Sequence, residues 1–215
     1  MYATGTGAMG VSAICTLRRP EMIEQIVEEK PIFRSVEQAL HLAFMMEILP
    51  VMQKSQMQIM LDRLIKQRFM QETIEYRSIN LSGLSPLEIR AQCAMIRGVV
   101  EHHLLKHESD AIHARYGFQV CKANGVRGVR DYCLPIMTIK GNIPTLAMAW
   151  GVYGTKRQRE DLSSRRIAEE FSLSQSSVTR NMRVIRDTGM LLLDRGIDRL
   201  RVLFERGNVV NADYS

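Results

Sequence analysis

Apolar residues recur at intervals of three and four along most of the chain, which is the spacing of one buried face of an α-helix. The pattern predicts helices over residues 20–29, 35–49, 53–76 and 85–105, and a shorter helix from residue 109 or 110 to 117. Ser35 can cap the second of these, and Ser85 followed by Pro86 and Glu88 is a strong start signal for the fourth. No convincing run of strands is present, so we predict an all-α protein.

The segment after residue 117 is less regular, because glycines and a proline interrupt residues 118–142. A short helix around Val126 and Val129 is expected there. Asn142 is expected to cap the next helix, which ends at Gly154. The following basic stretch, residues 156–159, is predicted to be a loop.

After residue 180 an apolar face continues at steps of three and four to residue 203, and Gly189 and Gly196 both lie on it. Each glycine weakens a helix by ~1 kcal/mol relative to alanine. Two interpretations remain open. The glycines permit close approach of a neighbouring helix, or, as we favour, the helix ends at Gly189.

Residues 164–180 have the spacing of a helix-turn-helix. Ala168 is the small residue where two helices cross closely, and Phe171, Leu173 and Val178 would hold them together. Ser172 stands at the bend, and Ser174 can cap the second helix through its side chain. Asn181 departs from the pattern, since an apolar residue is usual at that position, and Met182 is expected to take over its packing.

A recognition helix presents its N-terminal residues to base edges in the major groove of DNA. Glutamine suits adenine, arginine suits guanine or phosphate, and serine or threonine suits either base. The predicted DNA-binding residues are Lys156, Arg157, Arg159, Arg165, Arg166, Gln175, Ser176, Ser177, Thr179, Arg180 and Arg183. Of these, Gln175 and Arg180 are expected to read bases, and the basic residues before position 170 to bind phosphates.

Charge is distributed unevenly, which supports this interpretation. The formal net charge is +6, and residues 113–206 carry 17 Lys/Arg against 9 Asp/Glu, or +8, whereas residues 1–112 carry 12 against 13, or −1. Phosphate contacts require such a basic region. We predict a flexible leader over residues 1–16, a helical N-terminal domain over 17–117, a basic helix-turn-helix domain over 118–206 and a flexible tail over 207–215.

Features of an enzyme or a metal protein are poorly represented. Cys15, Cys93, Cys121 and Cys133 include no Cys-x-x-Cys pair, so we expect reduced thiols in the cytoplasm. His103 and His107 lie one helical turn apart but lack further ligands at metal-binding spacing. No glycine-rich phosphate-binding loop is present. We predict no catalytic residue, no metal, no cofactor and no membrane association.

The C-terminal two-fifths of the chain resembles phage and prophage late-gene regulators of the Q antitermination type, and more broadly the region 4 domains of sigma factors. The similar stretches are residues 110–117, 146–150, 162–171, 178–186 and 192–204. The resemblance implies a protein that binds near a promoter and engages RNA polymerase. It also implies that Arg165, Gln175, Ser176, Ser177, Thr179, Arg180 and Arg183 face DNA. Some Q-type proteins carry a zinc finger, and its cysteine pattern is missing here.

Together these observations favour a transcription regulator that binds double-stranded DNA as a monomer or homodimer. Its N-terminal helices would form a dimer face or a polymerase contact. The main alternative is a DNA-recognition subunit of a phage packaging machine. A DNA recombinase is less well supported, because the alternating strands and helices of a catalytic domain are missing before residue 140.

Overall fold

A computed structural model of the protein describes residues 31–49 and 84–210, and this part of the chain is all-α, as predicted. Its helices are α1 (Val36–Ile48), α2 (Pro86–His103), α3 (Lys106–Tyr116), α4 (Gln119–Cys133), α5 (Asn142–Tyr153), α6 (Lys156–Asp161), α7 (Ser164–Glu170) and α8 (Gln175–Arg206). A single turn of 3-10 helix, Leu134–Ile136, follows α4. No described helix has the length and apolar character that crossing a membrane requires. The helices predicted at 20–29 and 53–76 and the leader at 1–16 lie outside the described residues.

The first two helices begin where their capping residues predict. Ser35 accepts a hydrogen bond from the backbone N–H of Gln38 at 3.2 Å. Ser85 and Glu88 form a reciprocal capping box, in which the Ser85 N–H donates to the Glu88 carboxylate at 2.6 Å and the Glu88 N–H donates to the Ser85 hydroxyl at 3.3 Å. Each bond satisfies a backbone donor that the helix itself leaves free.

Helices α3 and α4 are both longer than predicted. The start of α3 is at Lys106, earlier than expected, because the Glu108 carboxylate accepts the N–H of Leu105 at 3.2 Å. The predicted irregularity of residues 118–142 is wrong over most of its length, since α4 is one helix of 15 residues. Gly125 does not interrupt it. A Cβ atom there would lie 2.4 Å from the backbone nitrogen of Ala114, so this glycine permits the close crossing of α3 and α4.

Two further boundaries differ from expectation in the basic half of the chain. The capping position of α5 is Gly141, and Asn142 is its first residue. The basic stretch predicted as a loop is instead the short helix α6. Thr155 and Gln158 form a capping box at its start, with the Thr155 N–H donating to Gln158 Oε1 at 2.9 Å and the Gln158 N–H donating to Thr155 Oγ1 at 3.4 Å.

The break that we favoured at Gly189 is also wrong. Helix α8 is continuous over 32 residues and contains both glycines. A Cβ atom at Gly189 would lie 1.8 Å from the Tyr153 hydroxyl oxygen, and one at Gly196 would lie 3.3 Å from an Ile112 methyl carbon. The alternative interpretation is correct, because each glycine lies where α8 meets a neighbouring helix.

Two clusters of buried residues form the core. The first joins α1, α2 and the C-terminal part of α8, where Ile197, Leu200 and Phe204 are buried. The second joins α4, α5, α7 and the first half of α8. Helices α3 and α8 contribute to both clusters, and the domain boundary at residue 117 stays a prediction. Just past α8, at the start of the predicted tail, Val210 is buried and forms an isolated bridge with Phe33.

Candidate nucleic-acid interface

The segment predicted as a helix-turn-helix folds as a short helix, a four-residue turn and a second helix. The turn, residues 171–174, separates α7 from α8. Ser172 has a φ of 52°, a left-handed conformation that reverses the chain at the predicted bend. The N–H of Leu173 donates to the Ala168 carbonyl at 2.9 Å, which closes the end of α7.

The apolar residues of this segment lie where the sequence pattern places them. Ala168 is 7% exposed and Val178 is fully buried, and both belong to the second core cluster. Phe171 and Leu173 are half-buried and pack against the same cluster. Because the turn is anchored on both sides by buried residues, the core fixes the direction in which α8 leaves it.

The capping of α8 differs in one detail from the prediction. Ser174 occupies the capping position, but its side chain accepts no backbone N–H. Its hydroxyl instead hydrogen-bonds the hydroxyl of Ser176 at 2.8 Å. The Ser174 side chain therefore satisfies none of the first backbone donors of α8.

Asn181 is the polar residue at a position where the pattern expects an apolar one, and it is 1% exposed. Its carbonyl oxygen accepts the N–H of Thr138 at 2.9 Å. Its amide donates to Thr138 Oγ1 at 2.8 Å and to the Ser177 carbonyl at 2.7 Å. These hydrogen bonds of Asn181 connect the loop after α4 to the second turn of α8. Met182 is buried as well, so it packs in addition to Asn181 and does not replace it.

Ten of the eleven predicted DNA-binding residues are exposed. They are Lys156, Arg157, Arg159, Arg165, Arg166, Gln175, Ser176, Thr179, Arg180 and Arg183. The exception is Ser177, which is half-buried and accepts the Asn181 amide through its carbonyl. A base contact from Ser177 is therefore less accessible than one from its neighbours on α8.

Four of the five exposed candidates at the start of α8 share one side of the helix, and the fifth, Gln175, lies roughly 90° around the helix from them. Successive residues of an α-helix are separated by roughly 100°. Ser176, Thr179, Arg180 and Arg183 therefore point away from the side that buries Val178 and its neighbours in the core. These four residues supply two hydroxyl groups and two guanidinium groups. We name these four residues the reading face.

Three of the predicted basic residues pair with carboxylates on the surface. Arg165 lies 3.0 Å from Glu169, Arg166 lies 2.7 Å from Asp161, and Arg183 lies 3.8 Å from Asp187. All six side chains are more than half exposed, so each pair contributes little to stability. A phosphate could replace the carboxylate partner at small cost.

Arg180 differs from these three, because it makes no ion pair with any residue of the described ranges 31–49 and 84–210. The same holds for Lys156, Arg157 and Arg159 on α6. The pair between Arg166 and Asp161 connects the start of α7 to the end of α6. Helix α5 contacts α6, α7 and α8, so α5 connects the basic helix α6 to α8.

The remaining candidates for chemistry lie away from this face. Burial raises the pKa of Cys93 to about 12 and the pKa of Cys121 to about 11, so both thiols are protonated at neutral pH. The His107 ring lies against the Tyr132 ring, with centroids 4.5 Å apart. Within residues 31–49 and 84–210, no group of three or more histidine, cysteine, aspartate or glutamate side chains is placed to hold a metal ion.

The chain matches no protein-family model, and comparison with curated proteins finds no significant match. The likeness to Q-type regulators therefore depends on the sequence stretches alone. Sequence reasoning missed the role of Thr138, which lies 43 residues from its partner. The available signal was the polar residue at position 181, where the helix-turn-helix pattern expects an apolar one.

Proposed function

We propose that this protein is a sequence-specific transcription regulator that binds double-stranded DNA through the start of α8. The observation that carries the proposal is Arg180, an exposed guanidinium with no described acidic partner on the reading face. Arginine can donate two hydrogen bonds to one guanine, which is the commonest specific contact in the major groove.

Phosphate binding is assigned to residues outside the reading face. Lys156, Arg157 and Arg159 on α6 make no ion pairs with described residues, whereas Arg165 and Arg166 on α7 would exchange surface carboxylates for phosphates. Such contacts release counterions and supply affinity that does not depend on sequence. The net charge of +8 over residues 113–206 supports this assignment. Antitermination with RNA polymerase is the narrower hypothesis, and it rests on the resemblance described above.

The test begins with selection of bound duplexes from a random library, followed by titration of the selected and a scrambled duplex at several salt concentrations. Arg180→Ala is expected to cost about 1–3 kcal/mol on the selected duplex and to relax base preference at one position. Lys156→Ala is expected to weaken binding to both duplexes and to reduce the salt slope by about one. Arg206→Ala removes an exposed charge from the far end of the same helix and is the matched control.

Unchanged affinity and unchanged base preference for Arg180→Ala would refute the assignment of Arg180 to base reading. Failure of the library to yield any preferred sequence, with binding that is uniform and strongly salt-dependent, would remove the claim of specificity and leave general DNA binding. An absence of binding to any duplex at low salt would overturn the proposed function.

A further inference from the structure

An exposed stripe runs along the C-terminal half of α8, on the side opposite its buried residues. It consists of Leu191, Arg195, Asp198 and Val202, which are separated by four, three and four residues. This is the spacing by which one helix of a coiled coil contacts another. Leu191 is 51% exposed and Val202 is 49% exposed, although both are apolar.

The charges on this stripe are complementary to those of the same stripe on a second copy that runs in the opposite direction. With a two-fold axis between Arg195 and Asp198, each of these residues faces the other in the second copy. The same axis places Leu191 opposite Val202. A parallel pair would instead place Arg195 opposite Arg195 and Asp198 opposite Asp198, which is repulsive. Charge therefore selects the antiparallel orientation.

A second pair of charges agrees with the same orientation. Asp194 and Arg201 both lie along one edge of the stripe, and both are exposed. In the antiparallel arrangement Asp194 and Arg201 of the second copy lie on the same edge, offset by two residues or about 3 Å along the helix axis. Arg195 makes no ion pair with a described residue of its own chain, so its guanidinium is available to a partner. Asp198 lies 3.7 Å from Arg201 of its own chain, an exposed pair that contributes little and can be exchanged for the contact with Arg195.

We propose that this stripe of α8 binds the same stripe of a second copy of the chain in an antiparallel pair. The two ion pairs at its centre fix orientation more than they add affinity, because their desolvation offsets much of their attraction. One pair of helices buries less than the roughly 1,200 Å² of a stable interface. We therefore expect dimerisation in the micromolar range.

The test is sedimentation equilibrium of the full chain without nucleic acid, over roughly 1–200 µM. Arg195→Asp and Asp198→Arg each place like charges opposite one another, and each should weaken dimerisation at least about tenfold. The double variant Arg195→Asp with Asp198→Arg restores opposite charges with their positions exchanged. It should recover dimerisation to within about threefold of the unaltered chain. Arg186→Asp, an exposed substitution on α8 outside the stripe, is the control for net charge.

Cysteine cross-linking tests the direction of the pair. The double variant Leu191→Cys with Val202→Cys should form a disulfide-linked dimer on mild oxidation, whereas each single variant should resemble the unaltered chain. Cross-linking of the single variants would indicate a parallel pair and overturn the proposal. A monomer throughout the concentration range, or a double charge variant as weak as the single ones, would overturn it too. These experiments contain no DNA, so their outcome is separate from that of the proposed function.

Discussion

Asn181 holds the loop after α4 against α8, and its replacement tests how much that contact stabilises the fold. Its side chain makes three hydrogen bonds, two with Thr138 and one with the Ser177 carbonyl. Each such bond contributes about 1 kcal/mol net, which gives about 3 kcal/mol in total. Because Thr138 is exposed, water can satisfy its freed groups in the variant. We therefore expect Asn181→Leu, which refills most of the space, to lower the free energy of unfolding by about 2 kcal/mol.

The measurement is urea denaturation followed by circular dichroism, with Asn124→Leu as the control. Asn124 is an exposed asparagine on α4, so its replacement should change the free energy of unfolding by at most about 0.5 kcal/mol. A double-mutant cycle of Asn181→Leu with Thr138→Val should give a coupling energy of about 0.5–1.5 kcal/mol. If the two substitutions are additive to within about 0.3 kcal/mol, the hydrogen bond between the Asn181 amide and Thr138 Oγ1 does not exist as described.

Two further predictions concern the contacts of α3. Gly125→Ala should lower the free energy of unfolding by about 1–3 kcal/mol, because the new methyl group meets the backbone of α3. In contrast, Gly98→Ala should raise it by about 0.5–1 kcal/mol, since no atom of the described residues would lie within 4 Å of the new Cβ atom. Urea midpoints that move in the same direction for both variants would contradict the crossing geometry. Burial lowers the pKa of His113 in the folded chain. When the pH falls below the usual histidine pKa, the unfolded chain therefore binds more protons than the folded chain, and the free energy of unfolding decreases. Measured between about pH 7 and pH 5, this fall should be smaller in His113→Gln, and an unchanged slope would argue against a buried neutral imidazole.

The features that the sequence predicts well depend on residues close together in the chain. Ser85 and Glu88 lie one helical turn apart, so the capping box is visible in the sequence and present in the structure. The apolar spacing around Ala168 and Val178 likewise predicts which residues the turn between α7 and α8 buries. Both features arise from local geometry, which a single helical segment determines.

The errors arise where a distant segment decides the outcome. A glycine inside an apolar pattern is compatible with a break or with a close helix crossing, and only the position of Tyr153 relative to Gly189 distinguishes them. Asn181 is a comparable case, because its partner Thr138 lies 43 residues earlier in the chain. The DNA-binding role assigned to Arg180 belongs to a third class. Arg180 is exposed and has no acidic partner among the described residues, and both facts are compatible with that role. The binding experiment tests the contact with DNA.

An unbroken α8 connects the reading face to the proposed dimer stripe and fixes the distance between them. At 1.5 Å per residue, Thr179 lies about 26 Å from the midpoint between Arg195 and Asp198. Antiparallel pairing would therefore place the two reading faces about 52 Å apart, which is about one and a half turns of duplex. Half-sites separated by one turn, about 34 Å, are too close for this dimer. Because sites one and a half turns apart lie on opposite sides of a straight duplex, each copy would bind its own segment of DNA. Binding of a single site should then be independent of dimerisation.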